Sequence, residues 1–283
     1  MNKIFLVRAA SGIVFGLLMI TSVFAGPWSF IPMCFALHTF ALDEYFRITD
    51  GPRHMAYQLM KILLPTFLLS FFAMNVLGSL ASPDASLDLG IWLIATMVVV
   101  FGVMAQSLFS LHIRPFFEAT TSAFSLFYLT LPVGLLLILG LDFDVDANSM
   151  YVDKWFIMGW LILVWTNDTM AYIIGSLIGK HKLAIRISPK KTIEGTIGGV
   201  ICTVALGYGL NFWISSGWDA DWMVMGGIIA VTGTVGDLFE SMLKRNYGVK
   251  DSGRIMPGHG GFLDRFDAFI FSIPAVYAYI QLS

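Results

Sequence analysis

Charge is scarce in this chain: Asp, Glu, Lys and Arg make up 13% of its 283 residues, against about 25% in soluble domains. Hydrophobic residues make up 57%, and the mean hydropathy is +0.77. An ordinary soluble domain is thereby excluded, and lipid is the solvent such a chain needs. Cysteine is nearly absent as well. Cys34 and Cys202 stand far apart in apolar runs, which excludes a disulfide framework and a thiolate metal site. Both read as small buried hydrophobes. The sequence lacks internal repeats, low-complexity tracts and an extramembrane domain. Its net charge of −2 is uninformative by itself, and no nucleic-acid partner is expected.

Long apolar runs take the place of what is missing. A spanning helix needs about 20 mostly apolar residues. By that measure the chain is an all-α, polytopic integral membrane protein with about nine transmembrane helices. They fall near 4–25, 28–46, 60–80, 89–110, 119–140, 154–178, 194–215, 221–243 and 261–281. Pro32 and Pro65 lie in or near the second and third. The first follows Lys3 and Arg8 and ends on Val23-Phe24-Ala25, like a signal peptide. Its apolar run is too long for one, so it reads as an uncleaved helix. A single membrane domain is expected over 1–283, with N-terminal helices in 1–150 and catalytic helices and cytoplasmic loops in 151–283.

With the N-terminus numbered zero and each span adding one, Lys154 alone of the 17 basic residues falls in an odd-numbered connection. The positive-inside rule then puts the N-terminus and the basic connections 179–193 and 244–260 in the cytoplasm, and the C-terminus outside. The cell (inner) membrane is the expected location. Odd connections are acidic, with Asp84, Asp88, Asp142, Asp144, Asp146, Asp153, Asp219 and Asp221. These read as solvated turns.

An ionisable group at membrane depth costs about 2.5–3.5 kcal/mol on insertion scales. Asp168 stands in the sixth span, Asp237 and Glu240 in the eighth, and Asp264, Arg265 and Asp267 in the ninth. Asp264 and Asp267, three apart, share a helix face, and the antiparallel eighth helix brings Asp237 toward them. Clustered carboxylates beside a basic loop suit Mg²⁺, which bridges to substrate phosphates. The alternative is charge neutralisation between helices, with Asp264 or Asp267 paired to Arg265 or Lys244.

Ser188-Pro189 reads as an N-cap followed by proline at N1, which would start the seventh helix. A helix N-terminus beside Lys190 and Lys191 is a phosphate site, although such lysines also set topology or meet anionic headgroups. Gly175 to Lys180 differs from a Walker A loop, which has G-x₄-G-K-[ST] after a strand. Gly175 and Gly179 read instead as helix-packing positions, as do Gly195, Gly198 and Gly199.

The densest pattern runs from Ser241 through Lys244-Arg245, Lys250-Asp251, Pro257 and His259-Gly260-Gly261 to Asp264-Arg265 and Asp267. It resembles the signature of the phosphatidate cytidylyltransferase (CDP-diacylglycerol synthase) family at every fixed position. A second block is similar to the same family: Asn167-Asp168-Thr169, Ala171-Tyr172, Gly175, Gly179-Lys180-His181-Lys182, and Ser188-Pro189-Lys190-Lys191-Thr192 with Glu194-Gly195. The recognisable part covers roughly 165–270. Residues 1–150 resemble the family only as a run of apolar helices.

The resemblance implies CTP and phosphatidic acid as substrates, a divalent metal, an α-helical membrane fold and a homodimer. It also implies that Asp237 and Asp264 line the metal site with Asp267 close by. The expected metal is Mg²⁺, with a second metal ion left open. Phosphatidate, with a second pKa near about 6–7 like other phosphomonoesters, needs little help from a general base. Catalysis would rest on charge neutralisation and in-line positioning.

Lys190, Lys191, Lys244 and Lys250 are the candidates for neutralising phosphates. Lys180, Ser241 and Arg245 join them as substrate-binding candidates, and Asn167 and Asp168 as nucleotide contacts or their support. Arg265 would orient the carboxylates. His259 would bond a phosphate or steady the Gly260-Gly261 turn, not act as base. No nucleophilic triad is visible, which favours direct displacement. A transporter would place polar groups at mid-membrane in repeated halves, which this chain lacks. CDP-alcohol phosphotransferases end their pattern in G-x₃-D-x₃-D, whereas Asp267 follows Asp264 by three. A cytidylyltransferase acting on a different lipid phosphate stays open.

Overall fold

Each apolar stretch of the sequence is helical in the computed structural model, which describes residues 3–50, 55–81, 89–108, 115–144, 149–214, 220–253 and 260–283. The helices are α1 (Lys3–Phe24), α2 (Pro27–Asp50), α3 (Met55–Ala81), α4 (Leu89–Leu108), α5 (Pro115–Ser125) and α6 (Leu131–Gly140). They continue as α7 (Lys154–Ile178), α8 (Ile193–Leu210), α9 (Trp222–Asn246) and α10 (Leu263–Leu282). A π turn, Leu126–Thr130, joins α5 to α6, so the expected fifth span is one continuous helical segment.

Two antiparallel hairpins interrupt the helices, β1 (Leu141–Asp144) with β2 (Ser149–Val152) and β3 (Lys182–Ala184) with β4 (Ser188–Thr192). Apolar periodicity cannot announce strands this short. Among the described residues, five helical stretches are long and apolar enough to cross a bilayer: Lys61–Gly78, Phe116–Gly140, Lys154–Ile178, Ile193–Leu210 and Trp222–Asn246. α1 and α4 contribute shorter apolar stretches, Ser11–Phe24 and Ile94–Ala105. α2 is less apolar because it carries His38, Asp43, Glu44 and Arg47, and α10 opens on Asp264, Arg265 and Asp267. The protein is an all-α membrane protein, with two short hairpins among the described residues.

The chain forms two compact units, Met1–Val152 with Ser252–Leu263, and Asp153–Asp251 with Asp264–Ser283. In the first, α2 buries Phe30, Leu37, Leu42, Tyr45 and Phe46 in a core shared with Leu69, Leu129, Leu136 and Leu137. Two buried polar groups of this interior have partners on other elements, as burial favours. His38 Nε2 lies 3.0 Å from Thr130 Oγ1 on the π turn. Lys61 bridges two buried carboxylates, 2.6 Å from Asp50 and 2.9 Å from Glu118.

The second unit packs through glycine. A Cβ at Gly195 would lie 2.6 Å from the Ala171 carbonyl and 2.8 Å from Gly175 Cα, so α7 and α8 meet backbone to backbone. A Cβ at Gly226 would lie 2.8 Å from the Thr203 carbonyl, so α9 packs closely onto α8. A Cβ at Gly236 would lie 2.8 Å from the Asp267 carbonyl, so α10 packs closely onto α9. Trp160, fully buried, donates its indole N–H to Ser272 Oγ at 3.0 Å.

Two of the acidic turn residues are helix caps rather than plain solvated groups. Asp153, buried, accepts from the Phe156 amide at 3.0 Å and starts α7. Asp221 accepts from the Met223 amide at 2.8 Å and starts α9. Each satisfies an amide that the first helical turn leaves without a partner.

Candidate active site

The seventh helix does not begin at Ser188-Pro189. Residues Ser188–Thr192 form β4, and α8 starts at Ile193 under a Thr192 cap whose hydroxyl accepts from the Gly195 amide at 3.2 Å. Both strands of a two-stranded ribbon are edges, so Pro189 is tolerated there without an amide to donate. Lys190 and Lys191 therefore ride on a strand leading into α8, not within its first turn.

Glu194 ties that ribbon to the helix. Its carboxylate accepts from the amides of Lys180 (3.1 Å) and His181 (3.2 Å) and lies 2.6 Å from His181 Nδ1. The sequence pattern includes Glu194, but only the structure gives it this work. The side chains of Lys180 and Lys190 are exposed beside it.

From this ribbon Lys191 reaches α9 and forms an ion pair with Asp237. One turn further along α9, Ser241 Oγ lies 3.4 Å from Asp237 Oδ1. Lys244 pairs with Glu240 one turn back on α9 and with Asp264 on α10 at 2.5 Å. The neutralising pair weighed for Asp264 is thus present. It includes Glu240, a buried carboxylate marked in the sequence but given no role there.

Asp267 is buried on α10, and the charges of Asp237 and Asp168 both bear on it. Asp168 is exposed on α7 and feels Asp237, Lys191 and Arg265. Carboxylates from α7, α9 and α10 thus share one electrostatic neighbourhood with Lys191, Lys244 and Arg265. Among the described residues, no three His, Cys, Asp or Glu side chains stand in a ready-made metal-holding group. The donor chemistry nevertheless suits Mg²⁺, a hard cation that takes one or two protein carboxylates and completes its shell with phosphates and water.

The remaining expected residues take more varied places. Arg245 is exposed and donates to the Val249 carbonyl at 3.0 Å, closing the end of α9 where Gly248 turns with φ +70°. Lys250 is exposed just beyond. Asn167 is buried on α7 with its Nδ2 3.5 Å from Thr234 Oγ1, and its Oδ1 has no hydrogen-bond partner among the described residues. Gly260 adopts φ +85°, which a side chain rarely tolerates, and Gly261 is buried. His259 lies outside the described residues.

Glu44 belongs to no motif in the sequence, yet the structure gives it a defined place. In the first unit its buried carboxylate accepts from Ser252 Oγ at 2.7 Å and from the amides of Phe262 and Leu263, each at 2.8 Å. Glu44 shares α2 with Asp43 and Asp50 and lies far in sequence from the motif, so no pattern in the sequence sets it apart.

The sequence matches the cytidylyltransferase family from residue 6 to residue 283. The chain belongs to that family. A relative from Staphylococcus saprophyticus, named phosphatidate cytidylyltransferase, is 33% identical over 237 residues, covering 75% of this chain and 87% of its own length. Relatives of the same name from Staphylococcus haemolyticus and Staphylococcus aureus strain COL are 50% and 49% identical over 121 and 115 residues. Those two matches take in 40% of this chain and 44% of each relative.

Proposed function

We propose that the protein is a phosphatidate cytidylyltransferase, joining CTP to phosphatidic acid to give CDP-diacylglycerol and pyrophosphate. The observation that carries this reading is the cluster of Asp168, Asp237, Asp264 and Asp267 set among Lys191, Lys244 and Arg265, in a chain of this family. The relatives' printed name supports the choice of lipid phosphate.

Phosphatidate carries its own nucleophile, a phosphate oxygen already ionised near neutral pH, so no side chain need act as general base. That oxygen bonds to the α-phosphorus of CTP as the bond from that phosphorus to the α–β bridging oxygen breaks. The electron pair leaves with pyrophosphate. The work left to the protein is to hold two anions together in line. Lys191 and Lys244, with Lys190, Lys250 and Lys180 on the basic segments, neutralise the phosphates. Asp237 and Asp264 would hold Mg²⁺, which when bound supplies charge neutralisation at the α-phosphate and the leaving pyrophosphate. Asp267 and Arg265 keep those carboxylates in place, and Asn167, Asp168, Ser241 and His259 serve the nucleotide.

The finer membrane arrangement belongs to the same proposal. The nine helical segments among the described residues all cross the inner membrane of the cell, with the N-terminus and the site on the cytoplasmic side and the C-terminus outside. The bias of basic residues to one side supports it. One substrate cannot leave the bilayer and the other cannot enter it, so the cytoplasmic interface is where they meet. The protein acts as a homodimer, as the family resemblance implies.

The test is an assay of the purified full chain in detergent with CTP, Mg²⁺ and a panel of lipid phosphates. Formation of CDP-diacylglycerol and pyrophosphate from phosphatidate, faster than from any other lipid phosphate, is the expected result. Preference for another lipid phosphate would move the substrate while keeping the chemistry. No CDP-lipid from any of them would overturn the reading.

A further inference from the structure

We infer that Glu44 is a positioning residue that fixes both ends of the segment 252–263, the stretch carrying Gly260 and Gly261 and leading directly into Asp264. The inference rests on the cytidylyltransferase reading for its catalytic consequence, but its structural part stands alone.

Glu44 lies on α2 with 1% of its surface exposed. A carboxylate buried so fully is costly unless its oxygens are met by donors. One oxygen accepts from the Phe262 amide, and the other from Ser252 Oγ and the Leu263 amide. Leu263 is the first residue of α10. The two amides therefore belong to a helix start, whose N–H groups lack partners within the helix and whose dipole favours a negative charge.

The described ends of the segment leave room for this side chain. A Cβ at Gly253 would collide with the Glu44 carboxylate. One at Gly261 would collide with the carboxylate and with Ser252 Oγ, and would sit 2.5 Å from the Gly253 amide nitrogen. Glycine at both places is thus a condition for the carboxylate to enter between the segment's two ends. That explains Gly261 by close approach, whereas Gly260 is explained by its positive φ.

Phe262 is held a second way. Its ring lies edge-on to Phe15 of α1, with centroids 5.9 Å apart, and 5.5 Å from the Phe40 ring of α2. Ring and amide together fix the residue that precedes α10. A simple helix cap would need only the two amides. Glu44 also grips Ser252, so it sets the spacing between the beginning and the end of the segment. This gives an N-terminal helix a part in the chemistry of the C-terminal signature.

The experiment uses the full-length protein in detergent with Glu44→Gln, which keeps the side chain's shape and removes its charge. Ser252→Ala, which removes one of the three hydrogen bonds, is made beside it. Lys61→Met, which breaks a different buried ion group of the same unit, is the control for mere loss of stability. Hydrogen exchange, read without substrate, should show the Phe262 and Leu263 amides opening about ten-fold faster in Glu44→Gln and unchanged in Lys61→Met. Kinetics with CTP and phosphatidate should show kcat/KM down by about a hundred-fold, with KM for CTP raised. Loss of folded protein alone lowers kcat and leaves KM where it was.

Unchanged exchange at Phe262 and Leu263 in folded Glu44→Gln would overturn the anchoring. Faster exchange with unaltered KM and kcat would overturn the role in catalysis. Should Glu44→Gln fail to fold, Ser252→Ala decides by the same two readouts. A wild type without cytidylyl transfer would sink the functional reading, while the exchange data would still judge Glu44.

Discussion

Lys191, on the strand that leads into α8, forms an ion pair with Asp237 of α9, whose charge also bears on Asp168 of α7 and Asp267 of α10. A basic residue expected to face phosphate thus already stands against a carboxylate expected to face metal. The two charges sit side by side at one place, which is what bringing a metal–triphosphate to a lipid phosphate requires. Lys191→Ala should lower kcat/KM by about a hundred-fold with little loss of fold, since both side chains are only partly buried. Steady-state kinetics beside a thermal melt separate the two effects. Full activity in the variant would remove Lys191 from the site.

Lys244 plays a more structural part. It neutralises Glu240, which is 1% exposed, as well as Asp264. Lys244→Met leaves a buried carboxylate without its counter-charge, at a cost of about 3–5 kcal/mol. Adding Glu240→Gln should recover much of that stability without restoring turnover. Denaturation of both single variants and the double variant measures the coupling, and strict additivity would contradict the pairing.

The crossing of α8 and α9 leaves no room for a side chain at Gly226, where a Cβ would sit 2.8 Å from the Thr203 carbonyl. Gly226→Ala should destabilise by about 1–3 kcal/mol. Gly209, with open space around it, is the control. Equal melting temperatures for the two alanine variants would count against the close crossing.

Asp221 gives a pH signature outside the spans. The Asn211 side-chain amide, first, and the Met223 amide, second, hold its carboxyl below the usual aspartate range. A depressed folded pKa means that its stabilisation is fully present above the unfolded value, about 4, and fades as pH falls through the folded value. Asp221→Asn should melt below wild type at neutral pH, with the gap closing under acid. A gap independent of pH would contradict the charged cap.

How much of this could be read in advance differs from element to element. The apolar runs locate the helices because membrane burial imposes a length that composition reveals. The signature from Ser241 to Asp267 draws attention to α9 and α10, since charges on membrane helices are costly without a purpose. What the sequence leaves dark depends on tertiary partners. Ser188-Pro189 has the chemistry of a helix start, yet Thr192 wins because the ribbon β3–β4 carries the chain four residues further. Glu44 shows no periodicity or motif, and its meaning appears only when Ser252, Phe262 and Leu263 fold around it.

The most direct test of the central claim is Mg²⁺-dependent formation of CDP-diacylglycerol by wild type, Asp237→Asn and Asp264→Asn, each confirmed folded. The account predicts activity in wild type that requires Mg²⁺ and falls by at least about a hundred-fold in each variant. Undiminished turnover in both variants would contradict it, leaving an enzyme whose chemistry is done somewhere other than at Asp237 and Asp264.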